Sequence, residues 1–288
     1  MAFFRHAGEN LHWVEYGTPD GKPVFFFHGW PGSQLQASVV DSCACTLGVR
    51  LIAPDRPGMG QSTIVRQRRI LDWSDTIVAL ADSLNIRAFS ILAVSGGGAY
   101  AFACAHSIPS RLERIAVCSG VPYANWLRED RSANRFLSAG VKLHDRLPKL
   151  GDPAFRMMRS IVLGHASARN ARRLLFLLPR ADREFLAQYD ILEQLVESTR
   201  ESYRQSADGV YHDIRLITNH WGFESSEAGF PILWWHGDAD EVCPIESIKK
   251  VASQNPSIKL KIFPNEGHYS LSIGKLDQLL SELMLRPV

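Results

Sequence analysis

No run of apolar residues in this 288-residue chain approaches the ~20 needed to cross a bilayer, so a membrane-embedded protein is not expected. Charge of one sign is missing too. With 32 Lys and Arg against 30 Asp and Glu, a formal net charge of +2, nothing points to a nucleic-acid partner or a membrane surface. The first residues, Met1-Ala2-Phe3-Phe4-Arg5-His6, have neither the basic start nor the long apolar run of a secretion signal, and a cytoplasmic location is expected. Cysteine is scarce: five residues, an odd number, at positions 43, 45, 104, 118 and 243, mostly in apolar segments where a thiol behaves as a small buried hydrophobe. No disulfide framework is expected. Cys43-x-Cys45 is too closely spaced for a zinc knuckle and too isolated for a redox pair, which leaves packing on a helix. Internal repeats and low-complexity linkers are also absent.

What is present is a chain that is 45% hydrophobic, long enough for one large α/β domain or a core domain plus an insertion. Residues 2–17 alternate around Gly8-Glu9-Asn10 and read as a β-hairpin; Thr18-Pro19-Asp20-Gly21 is turn chemistry. Val24-Phe25-Phe26-Phe27-His28 is the continuous apolar run of a strand buried on both faces, and it ends in Gly29-Trp30-Pro31-Gly32-Ser33. A helix over 34–47 and a strand over 50–53 follow, then the irregular loop from Asp55 to Ser62. A helix capped by Asp72 and running to 84 leads to a strand over 89–94, a helix to His106 and a strand over 114–118. Strands alternating with helices at this spacing imply right-handed crossovers and a parallel sheet, with functional residues at the carboxyl ends of the strands. From about 121 to 225 the pattern turns helical, with segments at 128–143, 168–178 and 181–203. Strands at 231–236 and 259–263, a helix over 245–253 and a final helix after His268 restore the α/β pattern.

The stretch Phe89-Ser90-Ile91-Leu92-Ala93-Val94-Ser95-Gly96-Gly97-Gly98 runs from an apolar strand into one serine, three glycines and a helix. A nucleophile on a strained strand-to-helix turn needs small residues two before and two after it, where the backbones approach closely. Ala93 and Gly97 meet that need, although Gly is usual at the first place. Gly96-x-Gly98-x-x-Ala101 also fits a dinucleotide-binding loop, but the next strand ends in Ser119-Gly120-Val121 without the carboxylate that would hold a ribose, and Glu113 sits at its wrong end. No Lys follows the glycines, which excludes a Walker-type loop. Taken alone, the stretch leaves a nucleophile turn, a cofactor loop and a plain tight turn open.

Four loops in order, His28-Gly29-Trp30-Pro31-Gly32, Asp55 to Ser62, the Ser95 turn, and His236-Gly237-Asp238-Ala239-Asp240 with Asn265-Glu266-Gly267-His268, resemble the α/β-hydrolase superfamily. The resemblance implies an α/β-hydrolase fold, a mostly parallel twisted sheet flanked by helices, in which residues 1–120 and 226–288 form the core and 121–225 an α-helical cap. It also implies the chain order Ser, Asp, His. Ser95 is then the nucleophile, His268 the base and Asp240 the acid, because the family places its acid three residues after the glycine; Asp238 is left to hold the turn. A hydroxyl needs such partners: an imidazole to take its proton and a carboxylate to fix the tautomer. The resemblance further implies an oxyanion hole from the amides of Trp30 and Gly96, with Pro31 stiffening the loop. His28 and His236 are read as structural hydrogen-bonders. A metal held by His236, Asp238 and Asp240 lacks an accompanying third-ligand motif, so neither metal nor cofactor is expected.

The expectation is therefore a serine hydrolase forming an acyl-enzyme on Ser95, acting on a small and largely apolar ester or lactone. Aspartate-dependent epoxide hydrolases and dehalogenases are disfavoured by Ser at the turn, and a proline-iminopeptidase-like activity by Trp30 where that group usually carries Gly. A carbon–carbon bond hydrolase, a cofactor-free haloperoxidase and a ligand-binding receptor of the same fold remain open. Trp30, Trp126, Phe136 and Trp221 are candidate pocket aromatics, with packing as the alternative role of Trp30 and helix packing as that of the other three.

Overall fold

In chain order, β1 (Ala2–His6) and β2 (Glu9–Gly17) form the hairpin, followed by β3 (Lys22–Phe27), a 3-10 segment over Gln34–Val40, α1 (Asp41–Thr46) and β4 (Val49–Pro54). Next come α2 (Asp72–Ser83), β5 (Phe89–Val94), α3 (Gly97–Ser107) and β6 (Leu112–Cys118). These ranges belong to a computed structural model that describes residues 2–6, 8–122, 126, 148–188 and 191–285. Among the described residues, five helices then separate β6 from the next strand: α4 (Pro148–His165), α5 (Ala168–Leu174), α6 (Arg180–Gln188), α7 (Leu192–Ser202) and α8 (Ala207–Thr218). The chain finishes with β7 (Ile232–Gly237), α9 (Ile245–Gln254), β8 (Ile258–Phe263), α10 (His268–Ser272) and α11 (Leu276–Met284).

The eight strands form one sheet in the order β1-β2-β4-β3-β5-β6-β7-β8, antiparallel through the β1/β2 and β2/β4 pairs and parallel from β4 onward. Side chains alternate between faces along a strand, so a strand covered on both sides must be apolar throughout. In β3, Phe25 and Phe27 enter the core shared with Trp73, Tyr100 and Trp234, while Val24 and Phe26 enter the opposite core with Leu92, Leu279 and Leu280. Helices α2, α3 and α9 cover the first face, α1 and α11 the second. The central strands are therefore fixed on both sides, and everything attached to their carboxyl ends inherits that rigidity.

Two expectations change. The helical pattern over 181–203 is two helices, α6 and α7, not one. Leu186 of α6 and Leu192 of α7 meet in one small separate core with Leu175, whereas Ser198 of α7 turns toward the loop after β3. Asp72 does not cap the helix it begins. Its carboxylate accepts from the Arg69 amide and pairs with the Arg69 guanidinium, which ties down the turn before α2 instead. The expected helix over 128–143 lies outside the described residues.

Candidate active site

At the carboxyl end of β5 the chain turns sharply into α3. Ser95 sits at the turn with φ of 51°, a left-handed conformation that a non-glycine residue adopts only when its surroundings hold it there. The hold is visible: the Ser95 amide donates to Cys118 O at 2.9 Å, and Ser95 O accepts from the Gly98 amide at 2.9 Å. Gly97 faces β3 so closely that a Cβ on it would stand 2.2 Å from Phe27 O, so only glycine fits.

Ser95 Oγ lies 3.0 Å from His268 Nε2, and His268 Nδ1 lies 2.8 Å from Asp240 Oδ2. A carboxylate only accepts, so Nδ1 carries the proton and Nε2 presents its lone pair to the serine hydroxyl. Asp240 follows β7; its Oδ1 is occupied by the amides of Val242 and Cys243 at 2.9 and 2.8 Å, which aims Oδ2 at the imidazole. Asp238 points elsewhere and accepts from the Asn265 amide at 2.7 Å. Behind Asp240 stands His236, whose Nδ1 accepts from the donor-only Trp234 indole and whose Nε2 therefore donates, to Cys243 O at 2.7 Å with Asp240 Oδ2 at 3.4 Å. Burial pushes His236 below the ordinary histidine value and keeps it neutral. Burial would likewise lower His268, but the Asp240 carboxylate outweighs it and leaves the imidazole above the ordinary value. Asp240, raised by burial alone, is brought below the usual carboxylate range by His268.

The amides of Trp30 and Gly96 donate to no partner among the described residues. They are neighbours: the Trp30 amide nitrogen lies 3.5 Å from where a Cβ on Gly96 would be. The loop that presents Trp30 is fastened from several sides. Gln36 Oε1 accepts from the Gly29 amide at 2.7 Å, the Trp30 indole donates to Val210 O on α8 at 2.8 Å, and the Ser33 amide donates to Ser198 Oγ on α7 at 3.0 Å. Arg56 donates to His28 O and Gly29 O, and its guanidinium is paired in turn with Asp213 of α8. Asp213 also accepts from Arg68 and from the Tyr100 hydroxyl. Although burial would raise it, the two guanidinium groups hold Asp213 far below the usual carboxylate range. His28 is structural, its Nδ1 on Gly29 O and its Nε2 accepting from the Arg56 amide; burial and the adjacent Arg56 lower it to about 3.

Ser95 and His268 open on a cavity of about 340 Å³. Of the three expected pocket aromatics among the described residues, Trp30 lines it and Trp126 and Trp221 do not. Trp126 and Trp221 are buried in the main core, Trp221 against Phe102 and Phe223, and Phe136 lies outside the described residues. Leucines form the walls instead: Leu174 at the end of α5, Leu175 and Leu178 just after it, Leu186 on α6, Leu192 and Leu195 on α7. The dense run Leu174-Leu175-Phe176-Leu177-Leu178 between arginines was the available signal, since no surface helix needs that many leucines on all sides. No comparable signal marked Arg56, Asp213 or Asp182 among so many ordinary surface charges. Among the described residues no Asp, Glu, Lys or Arg side chain lines the cavity.

The family model of the alpha/beta hydrolase fold matches residues 22–274. The chain belongs to this family. Among curated relatives, this α/β-hydrolase is 26% identical over 268 residues to the dihydrolipoyllysine-residue acetyltransferase component of an acetoin cleaving system from Pseudomonas putida, covering 91% of the chain but only 62% of that relative's length. It is also 26% identical over 277 residues to a non-heme chloroperoxidase from Kitasatospora aureofaciens, covering 91% of the chain and 89% of the relative. A solved structure from work on carboxylesterases of Nitrososphaera gargenis superposes with a TM-score of 0.68 at 17% identity, over 98% of this chain and 96% of that one, a likeness of fold.

Proposed function

We propose that this α/β-hydrolase is a serine hydrolase that cleaves a small, largely apolar ester or lactone. The observation that carries the proposal is the line Ser95 Oγ, His268 Nε2, His268 Nδ1, Asp240 Oδ2, with its 3.0 and 2.8 Å steps, opening on a cavity walled by leucines. Ser95 Oγ attacks the ester carbonyl while His268 Nε2 takes its proton, and the resulting imidazolium is stabilised by Asp240. The oxyanion is received by the unpartnered amides of Trp30 and Gly96, whose loops are already held in place, so little reorganisation is needed. His268 then returns the proton to the departing alkoxide, leaving an acyl group on Ser95. Water repeats the sequence: it loses a proton to His268, adds to the acyl carbon, and Ser95 Oγ leaves with that proton. The helices between β6 and β7 act as a cap that excludes water and chooses the substrate.

An aminopeptidase reading finds no support in the cavity. Among the described residues lining it, a substrate's free ammonium group would meet no carboxylate, and a charged group left unpaired in an apolar site is strongly disfavoured. The deciding experiment is labelling with a fluorophosphonate probe, mapped by mass spectrometry, together with a p-nitrophenyl ester and lactone panel. Label on Ser95 with turnover of apolar esters is the expected result; an unlabelled, inactive but folded protein would refute the proposal.

A further inference from the structure

Helix α10 is a single turn of five residues that begins at His268 itself. So short a helix cannot hold its own shape, and its first amides have no partners within it. A residue from far away supplies them. Asp182, buried on α6, accepts from the His268 amide at 3.0 Å through Oδ2, and from the Tyr269 and Ser270 amides at 2.7 and 3.0 Å through Oδ1. One carboxylate thus binds three consecutive backbone donors of the helix that carries the imidazole. Gly267 makes room for it, since a Cβ there would stand 2.5 Å from Asp182 Oδ1.

We propose that Asp182 is a positioning residue for His268, so that the helical insertion supplies part of the reaction machinery as well as the pocket walls. The inference rests on the reading of His268 as the general base. Two effects follow from the geometry. Fixing the backbone amide of His268 fixes the origin of its side chain, and with Asp240 holding Nδ1 the imidazole has one orientation toward Ser95. A misplacement of about 1 Å at such a centre costs on the order of a hundredfold in rate. The second effect is electrostatic: a buried negative charge beside His268 favours the imidazolium that forms as Ser95 attacks. The other titratable or charged groups around α10 are Asp240 and neutral His236 from β7 and its following turn, Tyr269 in α10 itself, and Glu266, which accepts from Ser270 Oγ and pairs with Lys275. All of these remain when Asp182 is changed.

The test compares wild-type protein with Asp182→Asn and Asp182→Ala, using steady-state ester hydrolysis across pH and NMR titration of the His268 imidazole. Asp182→Asn is expected to lower kcat by roughly tenfold to a hundredfold with KM little changed. The acid limb of kcat/KM and the imidazole titration should move together to lower pH. A folded variant with wild-type kcat, or with lower kcat but an unmoved limb and titration, would make Asp182 a structural clamp and overturn the proposal. Should both variants fail to fold, Gly267→Ala serves instead, because its added methyl pushes the carboxylate from the helix while keeping the charge in the chain. It too should lower kcat and the His268 titration, and no change in either would count against the proposal. If wild-type protein neither labels at Ser95 nor hydrolyses esters, the hydrolase reading fails, while the imidazole titration still decides whether Asp182 acts on His268.

Discussion

A hydroxyl group becomes a nucleophile only through its neighbours, and Ser95 has them within hydrogen-bond reach. Ser95→Ala removes one oxygen from a backbone that is pinned independently through Cys118 O and the Gly98 amide. It should therefore leave the melting temperature near wild type while abolishing probe labelling and reducing hydrolysis to the residue that binding and the oxyanion hole sustain. The two aspartates after β7 separate as sharply. Asp240→Asn offers His268 Nδ1 a group that can present the wrong partner, and kcat should fall by about 10⁴-fold, the scale of wrong-tautomer variants. Asp238→Asn keeps an oxygen for the Asn265 amide and should change kcat little; stopped assays on both variants check the ranking. pH dependence has a definite sign as well. His268 must be neutral to accept the serine proton, and its net shift is upward despite burial, so the acid limb of kcat/KM should lie above the ordinary histidine pKa of about 6.5.

Among the elements, α8 bears directly on the loop after β3. Its Asp213 neutralises Arg56 and Arg68, and Arg56 grips the carbonyls of His28 and Gly29 next to the Trp30 amide. Removing one partner of a buried ion pair leaves the others charged and unpaired, which is the costly way to break it. Asp213→Ala should cost about 3–5 kcal/mol in denaturant unfolding, and, on the proposed reading, ester hydrolysis should slow because the loop that presents the Trp30 amide has lost its brace. Since the folded-state Asp213 is depressed, its contribution to stability is present above the unfolded carboxylate value and is lost as pH falls through the folded one. The stability gap between wild type and Asp213→Asn should accordingly persist well into the acid range and close only at its far end, a trend that melting curves across pH would reveal.

For the molecule as a whole, the loops and turns after the strands carry Ser95, Asp240 and His268, and the described helices between β6 and β7 line the cavity with leucines. Each methylene of a substrate chain buried against those leucines is worth about 0.8 kcal/mol, or roughly fourfold in kcat/KM. Leu178→Trp, which fills part of the cavity, should move the preferred p-nitrophenyl ester toward shorter acyl chains while Ser95 labelling persists. An unchanged chain-length profile would mean that the acyl group lies elsewhere. Among the described residues no helix is long and apolar enough to cross a membrane.

Local pattern determined the parallel sheet, because short unbroken apolar runs such as Val24 to Phe27, alternating with helical segments, fit strands covered on both faces, and the resemblance of four loops to the α/β-hydrolases pointed to Ser95, Asp240 and His268. The strand-to-helix turn at Ser95 was legible for a similar reason: it needs small residues at fixed offsets, and Ala93 and Gly97 occupy them. Contacts made across long chain separations were not legible. Asp182 reaches His268 across 86 residues and Asp213 reaches Arg56 across 157, and a carboxylate on an amphipathic helix reads the same whether it meets water or a buried amide. The pocket aromatics went the same way: Trp126 and Trp221 are apolar enough for either a core or a cavity. Packing sent both into the core and left leucines around the cavity, since which face of a helix meets the sheet depends on where the neighbouring helices lie.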